Sequence, residues 1–95
     1  MSVELKDKRR NGRRIPGLGI ANGTWFTVLD IPGMEELVNQ QHTNDPLDIT
    51  PAKAKKMAAL VEAWTPPVGW SGDMAEEMKG YIVEFLRGCN GFRSY

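Results

Sequence analysis

Val3 and Leu5 alternate with polar neighbours at the start of the chain, the period of a strand with one buried face. Asn11-Gly12 follows, a strong signal for a type I′ hairpin turn. Together they predict a β-hairpin within residues 1–21, with strands near 3–10 and 13–21. The clearest helical pattern begins at Thr50. Ala54, Met57, Leu60, Val61 and Trp64 recur as one apolar stripe. Thr50 is a good N-cap, and Pro51 stands at the first helical position, where its missing N–H is harmless. Pro66-Pro67 cannot continue a helix, so the pattern predicts a helix over 50–64 and a non-helical connection, TPPVGWSG, over 65–72. A second stripe, Met74, Met78, Tyr81, Ile82, Phe85 and Leu86, predicts a helix over 73–87, with Asp73 and Glu76 spaced as a capping box. Gly80 interrupts it at about 1 kcal/mol relative to Ala, which points to close packing against another backbone. Gly88 or Asn90-Gly91 stops the helix, and FRSY alternates as a short strand over 92–95.

Residues 22–41 read less simply. Trp25 to Val28 have strand propensity, but Asn22 suits an N-cap and Trp25, Val28 and Leu29 fall at i, i+3 and i+4, which favours a short helix over 23–30. After Pro32-Gly33, MEELVNQQ reads as one or two helical turns with Glu35 and Glu36 at the positive end. HTNDPLD, residues 42–48, reads as loop. The sum is a single α+β domain over 1–95: an N-terminal hairpin, two main helices, one or two short helices within 22–41, and a C-terminal strand. A chain this short buries only roughly 60–65% of its unfolded surface, so homo-oligomerisation would be an economical way to complete its burial.

Composition changes the picture only slightly. The 95 residues are 41% hydrophobic and 25% charged, as in globular domains rather than disordered chains. Twelve basic groups balance twelve acidic ones, which excludes a uniformly basic nucleic-acid coat protein and a strongly acidic DNA mimic. The neutral total hides an asymmetry. Lys6, Lys8, Arg9, Arg10, Arg13 and Arg14 face only Glu4 and Asp7 within residues 1–14, a net of +4, and the remaining residues carry six basic and ten acidic groups, a net of −4. Such a basic segment binds a polyanion, pairs with an acidic body, or merely keeps a small protein soluble. No apolar run approaches the roughly 20 residues of a membrane span. The opening MSVELKDKRR has no signal-peptide core, so a cytoplasmic protein without a membrane partner is expected.

Little catalytic chemistry is on offer. Cys89 is the only cysteine and His42 the only histidine, which rules out an intramolecular disulfide and makes a zinc site very improbable. His42 has no acid–base partner nearby in sequence, and Cys89 reads as a half-buried small hydrophobe. Glu35-Glu36 and Glu76-Glu77 are adjacent pairs that point apart on a helix. No catalytic residue, metal or cofactor is expected. GLGIANG, residues 17–23, fails as a dinucleotide fingerprint because Asn22 replaces its third glycine. It still reads as a glycine-rich turn leading into a helix, where a phosphate could sit with Arg13, Arg14 and Arg93 nearby. Of the three tryptophans, Trp64 lies on an apolar stripe, Trp25 fits either core or surface, and Trp70, beside Gly69, is the best candidate for an exposed stacking aromatic.

ANGTWFTVLD, DITPAKAKKMAALVE and FLRGCNGFRSY together resemble a set of small uncharacterised bacterial and phage-encoded accessory proteins that end in an F-x-R-x-x-G-G-F-R-like motif. The resemblance spans roughly residues 20–95 and departs at Asn90, where glycine would stand. It implies a helix over 23–30 and the context of a small phage or bacterial inhibitor or sequestering protein. The leading expectation is a non-enzymatic protein that binds a nucleotide-type ligand or a nucleic-acid complex. Arg9, Arg10, Arg13, Arg14 and Arg93 would supply charge, Trp25 and Trp70 stacking, and Asn22 hydrogen bonds. The alternative is a module that inhibits a host enzyme through an apolar Met/Trp surface.

Overall fold

The computed structural model describes residues 2–8, 15–38 and 47–95. In chain order the elements are β1 (Ser2–Asp7), β2 (Leu18–Ala21), α1 (Asn22–Leu29), β3 (Asp48–Ile49), α2 (Pro51–Ala63), α3 (Ala75–Gly88) and β4 (Phe92–Ser94). Single 3-10 turns lie at Met34–Glu36 and Gly72–Met74. The strands form one antiparallel sheet in the order β2-β1-β4-β3. This is the α+β class expected, with helix over 22–29.

The strand alternation sets two faces. Val3, Leu5, Ile20, Ile49 and Phe92 are buried on the inner face. That face meets α1 through Trp25 and α3 through Phe85, both edge-to-face with Phe92 at 6.3 and 5.9 Å. Glu4, Lys6, Arg93 and Asp48 point outward and are exposed. α2 packs along α3, and its buried stripe is Ala54, Met57, Ala58 and Val61. The Thr50 hydroxyl accepts from Lys53 N at 3.3 Å, as the sequence predicts for an N-cap. Arg87 of α3 pairs with Glu62 of α2, and Lys79 donates to the Trp64 carbonyl at 2.6 Å, where the α2 dipole favours a cation.

Several local expectations are corrected. The hairpin ladder runs Ser2↔Ala21, Val3↔Ile20, Glu4↔Gly19 and Leu5↔Leu18, a register centred on Asn11-Gly12. Among the described residues it stops at Leu18, where Pro16, two residues earlier, has no N–H to donate; Lys6 and Asp7 continue the pairing of β1 with β4 on its other side. Arg9, Arg10, Arg13, Arg14, the Asn11-Gly12 turn and His42 lie outside the described residues. Asn22 is the first residue of α1 and Ala21 is its cap, without a side-chain bond. The segment expected to form a second short helix over 34–41 is a single 3-10 turn in its described part, with Glu35 accepting from Gly33 N at 3.0 Å. Asp48, expected at the end of the 42–48 loop, forms β3 with Ile49, because β4 supplies a partner that no local pattern reveals. The Asp73–Glu76 capping box does not form: a 3-10 turn precedes α3, whose cap is Met74. Cys89 is buried, its Sγ 3.5 Å from the Leu86 carbonyl.

Gly80 is corrected most usefully. A Cβ there would meet nothing within 4 Å, so no backbone approaches it. Alanine at this exposed helical position loses less conformational entropy on folding. Gly80→Ala is therefore expected to stabilise the protein by about 0.5–1 kcal/mol, raising the midpoint of thermal unfolding by several degrees. An unchanged or lower midpoint by circular dichroism would show that Gly80 has a role the packing does not express.

Two buried features organise the end of the sheet. The alternation of β1 turns Asp7 inward, where it is 5% exposed. Its Oδ1 accepts from Asn90 N at 2.9 Å and its Oδ2 from Ile15 N at 3.2 Å, so one carboxylate joins the segment before β2 to the turn before β4. Gly91, in that turn, has φ +76°, and Lys8 N donates to its carbonyl at 3.1 Å.

Candidate functional site

Among the described residues, those singled out from the sequence do not converge. Trp25 is 1% exposed and packed on Phe92, so it is a core ring. Trp70 is 6% exposed: its Nε1–H donates to the Thr24 carbonyl at 3.0 Å and its ring packs edge-to-face on Trp64 at 5.1 Å. It straps the 65–72 connection onto α1, and it is not a surface aromatic. Burying the indole while satisfying its N–H makes this loop position a second anchor for the helical layer. Trp64, expected in the core, is partly buried. Asn22 Oδ1 is enclosed and has no hydrogen-bond donor among the described residues.

The glycine-rich phosphate turn is also corrected. Leu18–Ala21 is strand, and Gly17, Gly19 and Gly23 do not take the positive φ that would gather successive N–H groups into an anion cradle. Arg93 is far from it. It lies on β4, separated from β2 by β1, and faces Lys6, while α1 begins beside Ser2 at the other end of β1. At about 3.3 Å per residue and 4.8 Å per strand, these points are more than 10 Å apart. The expected Met/Trp surface is absent in that form, since Trp25, Trp70, Met34 and Met57 are all buried. The large apolar side chains exposed among the described residues are Val68, Met74, Tyr81 and Tyr95.

What the fold does bring together is a charged strip on the outer sheet face. Lys6 of β1 and Arg93 of β4 are direct cross-strand neighbours, and Arg93 is followed across the sheet by Asp48 of β3. Asp48 takes an ion pair from Lys8 and a second from Arg93 Nε at 3.3 Å. The hydrogen bond from Lys8, aided by the charges of Lys8 and Arg93, holds the Asp48 carboxyl below its ordinary value, and desolvation works against that shift. This contribution is fully present above the ordinary aspartate pKa and is lost as pH falls through the lower folded value. Lys6 Nζ lies 3.8 Å from Glu4 and 5.3 Å from the centre of the Tyr95 ring, which is 57% exposed. Tyr95 carries the outward phase of the FRSY alternation and is an exposed aromatic on this face. β1 and Lys8 lead directly into Arg9 and Arg10, so the strip continues in sequence into the basic segment.

The class defined by fold and surface is a small two-layer α+β protein with its helices on one side and an open, charged sheet face on the other. The chain belongs to the DUF7739 family, a domain of unknown function, whose model matches residues 1–82. The match ends within α3, so β4, with Arg93, lies beyond it. No curated protein and no solved structure matches the chain significantly. Among the described residues no helix is long and apolar enough to cross a membrane.

Proposed function

We propose that this is a non-enzymatic binding protein whose outer sheet face takes a phosphate-bearing partner, a nucleotide or single-stranded nucleic acid. The observation that carries this reading is the direct opposition of Lys6 and Arg93 across β1 and β4. Like charges facing one another on a sheet repel; Glu4 beside Lys6 and Asp48 beside Arg93 offset that in the free protein, and a bound anion would take the place of these carboxylates on the two cations. Tyr95, exposed beside Lys6, offers a ring for a base to stack on, worth about 1–3 kcal/mol where such stacking occurs. In sequence, Lys8, Arg9, Arg10, Arg13 and Arg14 follow the end of β1 and add to its positive charge. The site residues of this reading are therefore Lys6, Lys8, Arg93 and Tyr95 together with the four arginines.

The test is the salt dependence of binding to a short fluorescent oligothymidylate. Each cation removed from a single-strand contact should lower the slope of log K against log salt by about 0.7. Changing Lys6 and Arg93 together to Ala should lower that slope by about two such steps with only a small change in the unfolding midpoint, because both side chains and the carboxylates they pair with are exposed. Free nucleotide competing at low concentration would identify the smaller ligand as the partner. A slope that does not move in the double variant sinks the reading.

A further inference from the structure

On the outer sheet face, cations from two strands share one carboxylate. Lys8, just past the end of β1, and Arg93 of β4 both close on Asp48 of β3. Lys8 has to reach across the turn before β4 to do so. Its side chain passes Gly91, where a Cβ would stand 2.9 Å from Lys8 Cε, so the absence of a side chain there clears the path of the lysine. The Asp48 side chain is 57% exposed and sits on a two-residue edge strand, so its carboxylate can swing into solvent. Lys6 stands beside this group, directly opposite Arg93, with its own counter-ion Glu4 at 3.8 Å. Three cations thus border one exposed stretch of the sheet, and an internal carboxylate already occupies two of them.

A ligand must displace Asp48 to reach Lys8 and Arg93, and its charge decides whether the exchange is favourable. A phosphodiester carries a single negative charge, like the carboxylate it would replace, so the two cations gain little Coulomb energy from the exchange. A terminal phosphomonoester carries about −1.5 to −2 at pH 7 and offers three acceptor oxygens. It can serve Lys8 and Arg93 together and leave an oxygen for Lys6. Tyr95, exposed like Arg93, lies two residues further along the chain, about 7 Å away, within reach of the base of a nucleotide whose phosphate sits on Arg93. Resting on the outer-face reading above, we propose that Asp48 is the resident counter-ion of that site and makes it selective for terminal phosphate groups, of a free nucleotide or a strand end, over the internal diesters of a nucleic acid.

The probes are short oligothymidylates labelled at the 3′ end, with and without a 5′-phosphate, and two unlabelled competitors, thymidine 5′-monophosphate and its 5′-methyl ester. With the full-length protein, the monophosphate should compete at least about fivefold better than the methyl ester, and the phosphorylated strand should bind tighter than the unphosphorylated one by a similar factor. The better of the monophosphate and the phosphorylated strand identifies a free nucleotide or a strand end as the source of the phosphate. Asp48→Asn should tighten every ligand and shrink the preference to about twofold or less, with little change in the unfolding midpoint, because the ion pairs it removes are exposed. Glu84→Gln makes the same change in net charge at an exposed position on α3 and should leave the preference as it is. Equal competition by the monophosphate and its methyl ester overturns the proposal, as does a preference that survives Asp48→Asn or falls equally in Glu84→Gln. If the salt slope still drops in the Lys6 and Arg93 double variant, the outer face then binds anions without Asp48 choosing among them. If the slope does not drop either, both readings fall together.

Discussion

Gly91→Ala is expected to cost about 2–5 kcal/mol of folding stability and to lower the unfolding midpoint accordingly. Two independent effects add. At φ +76° an L side chain is strained by about 1–2 kcal/mol. The new Cβ would also stand 2.5 Å from the Ile49 carbonyl oxygen and 2.9 Å from Lys8 Cε. The Lys8 methylene can move, but the carbonyl belongs to β3, whose only strand neighbour among the described residues is β4. Restoring an ordinary contact of about 3.5 Å pulls Ile49 away from Phe92 and takes the Asp48 ion pairs with it. A domain of this size has about 5–14 kcal/mol in hand, so such a loss is a large share of the total. Urea unfolding measures it directly, and a midpoint close to that of the parent protein would show that the turn can rearrange.

Asp7→Ala should be almost as damaging, and the graded series Asp7→Asn and Asp7→Ala tests why. The carboxylate accepts from two main-chain N–H groups, of Ile15 and Asn90, in a buried setting. Removing it orphans both donors at about 1–3 kcal/mol each, so a total loss near 3–5 kcal/mol is expected. Asparagine keeps one accepting oxygen but turns an NH2 group towards the other donor, so it should lose about half as much. If Asn and Ala variants are equally destabilised, shape rather than hydrogen bonding governs the position. If both melt like the parent, the bridge between the two turns contributes nothing.

The parts of the fold that were legible are those fixed locally. Thr50-Pro51 marks the start of α2 because capping is decided within one turn, and Pro66 marks its end for the same reason. The register around Asn11-Gly12 follows from the alternation of Val3 and Leu5 against Leu18 and Ile20. The expectation of a short helix over 23–30 rested on the spacing of Trp25, Val28 and Leu29, which are the three buried residues of the observed helix, Asn22–Leu29. What failed was set by distant partners. Trp70 sits in a proline- and glycine-rich connection that looks exposed, yet Thr24 and Trp64, from other parts of the chain, capture it. β3 is two residues of loop until β4 lies beside it. Arg93 was singled out but placed near the wrong partners, because only the strand order puts it opposite Lys6. Tyr95 and Lys6 were visible as outward positions of alternating strands, and nothing local joins them.

The placement of β4 between β1 and β3 also governs when the molecule can fold. The sheet is closed by residues 92–94, which join a strand near the start of the chain to one in its middle. A nascent chain lacking them has a lone two-stranded ribbon at one end and an unpaired Asp48-Ile49 at the other, neither of them independently stable. Native pairing must therefore wait until Ser94 has emerged from the ribosome, and it then depends on closing a loop of most of the chain. Folding is accordingly expected to be slow for a protein with this much helix, and synthesis to be its most protease-sensitive interval.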